Sequence, residues 1–202
     1  GAVEAIKSAI DANIDLPQGY YIEYGGQFES QQSAARTLSF TSAIALLIIF
    51  LLLFQEFKSL SLSGMIMINL PLALIGGVAA IAMTSGIVSI PAVIGFISLL
   101  GIAVRNGILL VSHYGQLRNE GIALKESIIQ GSLDRLNPIL MTSLSSALAL
   151  IPLALGGDIS GNEIQSPMAK VILGGLISST LLNIFVIPTV YLFLNSKKKS
   201  HA

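Results

Sequence analysis

Arg105 is the residue whose type and position most directly suggest chemistry, because it is a cation inside an apolar run, residues 98–110. It lies roughly 10 Å along a helix from the polar end of that run at His113. If the run crosses a membrane, an arginine at that depth costs at least ~2.5 kcal/mol, so we expect it to face other helices and pair with a carboxylate. The alternative, an arginine that snorkels to the inner membrane surface, stays open.

Small and polar side chains accompany Arg105 at helical spacing. Ser98, Gly101 and Ser112 share its helix face, and Asn106 lies beside it. We predict that Gly101 allows another helix to pack closely.

The apolar run that follows supplies hydroxyl groups. Asn137 and Pro138 predict a helix cap and a first-turn proline at its start, and Thr142 and Ser146 lie further along. We predict that Thr142 and Ser146 hold a water chain or bond to the partner of Arg105. Bonding within their own helix and close packing are the alternative, at under ~1 kcal/mol for each interaction.

The carboxylate expected to pair with Arg105 is not found in any apolar run of the sequence. All eleven acidic residues lie outside these runs: Glu4, Asp11, Asp15, Glu23, Glu29, Glu56, Glu120, Glu126, Asp134, Asp158 and Glu163. We therefore expect further membrane spans, outside this chain, to supply the partner.

Several other kinds of chemistry are disfavoured by the composition. The formal net charge is +0 and there is no cysteine, so a basic nucleic-acid binder, a disulfide scaffold and thiol chemistry are excluded. Ser112 and His113 are adjacent on a helix and cannot form a nucleophile and base pair. His113 and His201 are far apart in sequence. We predict no enzyme activity, no metal site and no cofactor.

Five apolar runs must position these residues. They span about 37–54, 63–84, 88–112, 137–155 and 168–194 in a chain that is 53% hydrophobic and 11% charged. About 20 helical residues cross a hydrocarbon core of about 30 Å, and the runs do not alternate as transmembrane strands do. The sequence therefore predicts an all-α polytopic membrane bundle of five helices.

Residues 1–36 and the connections between runs give the expected orientation. Lysine and arginine lie after the first, third and fifth runs, so these connections and the basic tail, residues 197–202, are predicted to be cytoplasmic. Residues 1–36 would then lie outside, and their pattern predicts a helix and a strand at 20–24, an α/β remnant of a larger domain. The spacing of apolar residues predicts an amphipathic helix on the inner membrane surface at about 121–135.

The fifth run carries small residues at four-residue spacing. Gly174, Gly175 and Ser178 are predicted to pack tightly against another helix. Asn183 is the one carboxamide deep in this run.

Three motifs together resemble the C-terminal half of an RND (resistance, nodulation and cell division) efflux permease. They are GFISLLGIAVRNGILLVSHY at 95–114, RLNPILMTS at 135–143 and ILGGLISSTLL at 172–182. The resemblance covers essentially the whole chain and is nearest to the heavy-metal branch, from the His-Tyr ending of the third run and the Gly-Gly-Leu-Ile-Ser-Ser-Thr-Leu-Leu run. Asn183 departs from it, because many heavy-metal members are expected to carry aspartate there.

The resemblance implies twelve spans in two parallel repeats, of which this chain would supply the eighth to the twelfth, with residues 1–36 ending a periplasmic porter domain. It implies a homotrimer in the bacterial inner membrane that works with a periplasmic adaptor and an outer-membrane channel. The cation and hydroxyl of the family's proton relay match Arg105 and Thr142, and the paired aspartates would lie in the missing half. Asn106, beside Arg105, and Ser146, on the run that carries Thr142, are predicted to take part in the same relay.

The implied activity is proton-driven export of metal ions or amphiphilic toxic compounds. The alternative is an accessory of protein or lipid translocation from the same superfamily.

Overall fold

The structure is a computed structural model that describes residues 8–10, 12–13, 17, 27–84, 86, 88–157, 159 and 161–198. The chain divides into two units, residues 1–34 and 35–202, and the packing described below is that of the second unit. The long helices of the chain are α1 (Gln27–Phe57), α2 (Leu60–Met83), α3 (Ile90–Asn119), α4 (Leu124–Leu155) and α5 (Gln165–Lys198).

All five helices are long and apolar enough to cross a membrane. The candidate spans are Ser33–Phe57, Leu60–Met83, Ile90–Asn119, Leu124–Leu155 and Gln165–Ser196, with mean hydropathy from 1.8 to 2.5. This confirms the predicted all-α polytopic membrane bundle of five helices.

The predicted α/β remnant at the N terminus is not supported. The predicted strand at 20–24 lies outside the described residues, and no strand occurs within them. Residues 8–10 and 12–13, in the predicted N-terminal helix, are helical. A strand needs a hydrogen-bonding neighbour, and an aromatic run alone does not supply one.

The start of α4 differs from the prediction. Asn137 and Pro138 do not begin a helix, since α4 starts at Leu124 and Pro138 lies inside it. The predicted surface helix at 121–135 and the fourth span are therefore one continuous helix. Sequence polarity marks where a helix leaves the apolar layer, whereas backbone hydrogen bonding continues beyond that point.

Local sequence signals explain where α3 begins and ends and where α4 ends. Ser89 caps α3, its side chain accepting a hydrogen bond from the Ala92 amide at 3.4 Å, with proline in the first turn. Gly121 ends α3 at a φ of 89°, which favours glycine. At the C-terminal end of α4, the Asn162 amide group donates to the Gly156 carbonyl at 2.9 Å.

Helix α5 is the centre of the bundle, since it packs against α2, α3 and α4. The largest buried cluster joins all five helices through residues Leu53, Met65, Ile66, Leu110, Val111, Tyr114, Ile128, Ile187 and Tyr191. Helix α1 contributes Leu53 to this cluster, while Phe40, Leu47 and Leu51 on the same helix are more than half exposed. Exposed apolar side chains on long helices are what a lipid-facing surface requires.

Candidate functional site

An exposed polar face runs along the middle of α3. Ser98, Gly101 and Arg105 lie on it, spaced three and four residues apart, and all three are exposed. A Cβ atom added at Gly101 would meet nothing within 4 Å. Within the part of the chain that the structure describes, Arg105 makes no ion pair and no side-chain hydrogen bond. This face is therefore open to a partner from outside the unit.

The register between α3 and α4 places Arg105 and Thr142 at the same level. His113 Nε2 on α3 lies 3.0 Å from Asp134 Oδ2 on α4. Arg105 precedes His113 by eight residues, and Thr142 follows Asp134 by eight residues. The helices are antiparallel neighbours, so about 12 Å of helix leads from the His113–Asp134 contact to each of the two side chains.

Thr142 is exposed on α4, like Arg105 on α3. Its hydroxyl donates to the Pro138 carbonyl of the same helix at 2.7 Å. A threonine hydroxyl that donates to its own helix keeps its lone pairs free to accept another hydrogen bond. The Thr142 hydroxyl is therefore able to accept a hydrogen bond from a polar group on a further helix.

The other two predicted relay residues are less accessible. Asn106 is only 6% exposed. Its neighbour Gly107 is packed against Ile66 and Ile187 of α2 and α5. Ser146 is partly buried on α4. The structure thus leaves Arg105 and Thr142 exposed on their respective helices and places Asn106 inside the bundle.

The predicted packing residues of α5 lie at close helix contacts. A Cβ atom added at Gly174 would overlap the Gly76 carbonyl oxygen of α2, and one added at Gly175 would overlap the Leu99 side chain of α3. The Ser178 hydroxyl donates to the Ala73 carbonyl at 2.6 Å. Gly101 differs from these residues, because no described residue packs against it.

Two contacts that sequence reasoning did not predict join α3 to α4. Besides the His113–Asp134 pair, the Tyr114 hydroxyl lies 2.5 Å from the Ser132 hydroxyl. The Tyr114 ring is fully buried and lies 5.0 Å, centroid to centroid, from the Tyr191 ring of α5. The signal was present: His113 and Tyr114 fall opposite Asp134 and Ser132 once the two helices are paired as an antiparallel hairpin.

Two further asparagine side chains are buried within the bundle, and of these only Asn183 was singled out from the sequence. Asn69 on α2 is 3% exposed and Asn183 on α5 is 0% exposed. The Oδ1 atoms of both lack a hydrogen-bond partner among the described residues. The Asn183 amide group donates to the Ser179 hydroxyl at 3.4 Å, a long contact.

The described residues include no group of three or more histidine, cysteine, aspartate or glutamate side chains placed to hold a metal ion. His113, the nearest candidate ligand to the polar face, is bonded to Asp134 instead.

Five helices that are long and apolar enough to cross a membrane, one of them with an exposed arginine in its middle, define a multi-pass membrane protein. The sequence matches the AcrB/AcrD/AcrF family over residues 1–195. The chain therefore belongs to this family of RND permeases.

Relatives and a solved structure agree with that assignment. The chain is 42% identical over 198 residues to Protein HelA of Legionella pneumophila, covering 98% of this chain and 19% of HelA. It is 38% identical to the cobalt-zinc-cadmium resistance protein CzcA of Cupriavidus metallidurans, covering 96% of this chain and 18% of CzcA. A crystal structure of a heavy metal efflux pump matches with a TM-score of 0.82 at 34% identity, covering 96% of this chain and 19% of that one. The chain thus spans about a fifth of the length of these relatives.

Proposed function

We propose that this chain is part of a proton-driven RND efflux transporter and supplies the helices of its proton relay. The observation that carries the proposal is the exposed face on which Arg105, without a partner among the described residues, lies level with Thr142. A guanidinium within a membrane-spanning helix needs an anion, so the rest of the permease would place a carboxylate against this face.

The coupling follows from the charge of that carboxylate. When it is ionised, Arg105 holds it by a charge-assisted hydrogen bond. When it takes up a proton, the attraction is lost and the helices repack. A proton that moves through 100 mV releases about 2.3 kcal/mol, enough to bias a two-state arrangement of helices. Thr142 would accept or donate a hydrogen bond as the carboxylate changes state.

The substrate class is proposed from the relatives. The names of CzcA and of the solved efflux pump refer to cobalt, zinc, cadmium and heavy metals. The multidrug resistance protein MdtC of Erwinia tasmaniensis is 35% identical over 174 residues, 85% of this chain and 16% of MdtC. We therefore propose metal ions as the substrates, with amphiphilic toxic compounds as the second class.

The proposed assembly is a homotrimer in the bacterial inner membrane, joined to a periplasmic adaptor and an outer-membrane channel. The distribution of lysine and arginine would place the C terminus in the cytoplasm and residues 1–36 in the periplasm. The N-terminal half of the same permease would complete the polar face of α3.

The test is transport by the complete permease that contains this chain, reconstituted in proteoliposomes with a pH gradient and Zn²⁺ as the transported ion. Arg105→Ala is expected to abolish Zn²⁺-coupled proton flux while trimer assembly is retained, and Arg105→Lys to keep part of it. Leu148→Ala is the control. Leu148 is an apolar residue of α4 that is 61% exposed, so this variant should transport normally. Full transport by Arg105→Ala would remove Arg105 from the relay.

A further inference from the structure

A pair of titratable side chains joins α3 and α4 beyond the membrane-embedded face. His113 Nε2 lies 3.0 Å from Asp134 Oδ2, and the two side chains are 19% and 48% exposed. The other ring nitrogen, Nδ1, is buried and has no hydrogen-bond partner among the described residues. One imidazole nitrogen is therefore shielded from bulk solvent and left without a hydrogen-bond partner among the described residues, while the other is bonded to a carboxylate that solvent reaches.

The groups around His113 leave Asp134 as its one charged contact among the described residues. On the same helix, the Arg118 guanidinium donates to the Ile122 carbonyl at 2.9 Å. On α4, Arg135 follows Asp134 in sequence, and the Ser132 hydroxyl bonds to Tyr114. From α5 the Tyr191 ring lies 5.0 Å, centroid to centroid, from the ring of Tyr114, the residue next to His113. Helix α2 carries no ionisable side chain between Leu60 and Met83.

The pair lies on the same two helices as Arg105 and Thr142, nearer the end that is proposed to be cytoplasmic. Arg105 and Thr142 are each eight residues, or about 12 Å of helix, from His113 and Asp134 respectively. This distance is longer than a hydrogen bond, so one or more water molecules would have to connect them. The basic connections on this side of the bundle are those proposed to be cytoplasmic.

We infer that His113 and Asp134 are the proton-release station of the relay at its cytoplasmic end. With Nε2 protonated, the imidazole donates to Asp134, and Nδ1, which has no hydrogen-bond partner among the described residues, would accept a proton from a water molecule bound beside it inside the bundle. The imidazolium then passes its Nε2 proton to the Asp134 carboxylate, which releases it to the cytoplasm. Exchange between the two ring tautomers resets the station with no net change in protons. Histidine suits this step because it takes up and releases protons near neutral pH.

This inference rests on the proposed function, and its test separates the two. Proton flux driven by a pH gradient is measured in proteoliposomes of the complete permease, with Zn²⁺ as the substrate and a fluorescent pH indicator inside. His113→Gln keeps a donor that can bond to Asp134 but cannot carry a proton through the ring. We expect its flux to fall roughly 10-fold or more and to lose its dependence on pH at the cytoplasmic side.

Tyr114→Phe is the matched control, because it removes the neighbouring contact between the same two helices without removing a proton carrier. It should keep the wild-type dependence on pH. Asp134→Asn provides a second variant if His113→Gln does not assemble, and added imidazole should partly restore flux to His113→Gly.

Two outcomes would overturn the inference. One is wild-type flux and pH dependence in His113→Gln. The other is an equal loss in His113→Gln and Tyr114→Phe with the pH dependence retained, which would make the pair a helix contact only. If Arg105→Ala is inactive in the same assay while His113→Gln is normal, the release station fails and the proposed function stands. If Arg105→Ala transports fully, Arg105 is not part of the relay, and the proposed function loses the observation that carries it.

Discussion

Gly76 of α2 and Gly174 of α5 pack backbone against backbone, so closely that a Cβ atom on either would overlap the carbonyl oxygen of the other. The next residue of α2, Gly77, is packed against Phe96 and Val171. One turn after Gly174 on α5, the Ser178 hydroxyl donates a hydrogen bond of 2.6 Å to the Ala73 carbonyl of α2. Close approach of this kind allows membrane helices to gain van der Waals contact that lipid cannot supply.

Gly174→Ala is therefore expected to force α2 and α5 apart. The overlapping atoms belong to backbone, which cannot rotate away, so we expect a loss of stability on the order of 1–3 kcal/mol. Thermal unfolding of the complete permease in detergent measures this as a lower midpoint. Gly64→Ala is the control, since a Cβ there meets nothing within 4 Å and the midpoint should not fall. Equal midpoints for the two variants would show that the contact is loose.

The sequence predicted the small-residue face of α5 but not what covers it. Gly174, Gly175 and Ser178 identify a surface that favours close contact, whereas the partner residues Gly76 and Leu99 lie in two other helices. Nothing local to a sequence specifies such pairings, because they depend on how the helices are arranged around one another. The five spans were predictable for the opposite reason, since mean hydropathy is a property of each segment alone.

The site shows the same division between local and long-range information. Arg105 could be selected as a candidate from the sequence because a charged residue within an apolar run is unusual. The His113–Asp134 contact joins residues 21 positions apart and becomes visible only when α3 and α4 are paired. Asn137 was wrongly predicted as a cap because α4 continues through it, and a proline inside a helix is tolerated in membrane proteins.

The first turns of α4 offer a test of how the bundle meets the inner membrane surface. Ile129 and Leu133 are each 63% exposed, on a segment that also carries Lys125 and Glu126. We expect a nitroxide label at Leu133 to lie at the lipid surface and a label at exposed Glu120, in the turn between α3 and α4, to lie in water. Paramagnetic relaxation by oxygen and by a water-soluble nickel complex distinguishes the two environments. The same accessibility at both positions would mean that this segment projects into the cytoplasm.

Thr142→Ala separates a relay role from a packing role. The side chain is exposed and its hydroxyl bonds to its own helix, so we expect the unfolding midpoint to change little, within about 0.5 kcal/mol. Zn²⁺-coupled proton flux should fall, though less than in Arg105→Ala, and Thr142→Ser should restore it. Ser145→Ala, at another exposed position of α4, is the control and should leave flux unchanged. If Thr142→Ala has normal flux and coupling, the hydroxyl serves only its own helix.

Asn183 is fully buried in α5, yet its Oδ1 atom lacks a partner among the described residues and its amide group makes one long hydrogen bond. Removing a poorly satisfied polar group from a core is expected to be neutral or stabilising, so Asn183→Leu should keep or raise the unfolding midpoint.

Asn183→Asp should have the opposite effect, because an ionised carboxylate within a membrane-spanning helix costs about 2.5–3.5 kcal/mol. Protonation removes that charge, so the midpoint of the Asp variant should be depressed at pH 8 and recover toward the parent at pH 5. Asn195→Asp, in the last turns of α5 where the amide group donates to the Tyr191 carbonyl at 3.0 Å, is the matched control. It lies near the membrane surface, where water solvates the charge, and should show a smaller dependence on pH. A stable, pH-independent Asn183→Asp variant would mean that the complete permease places a cation beside this position.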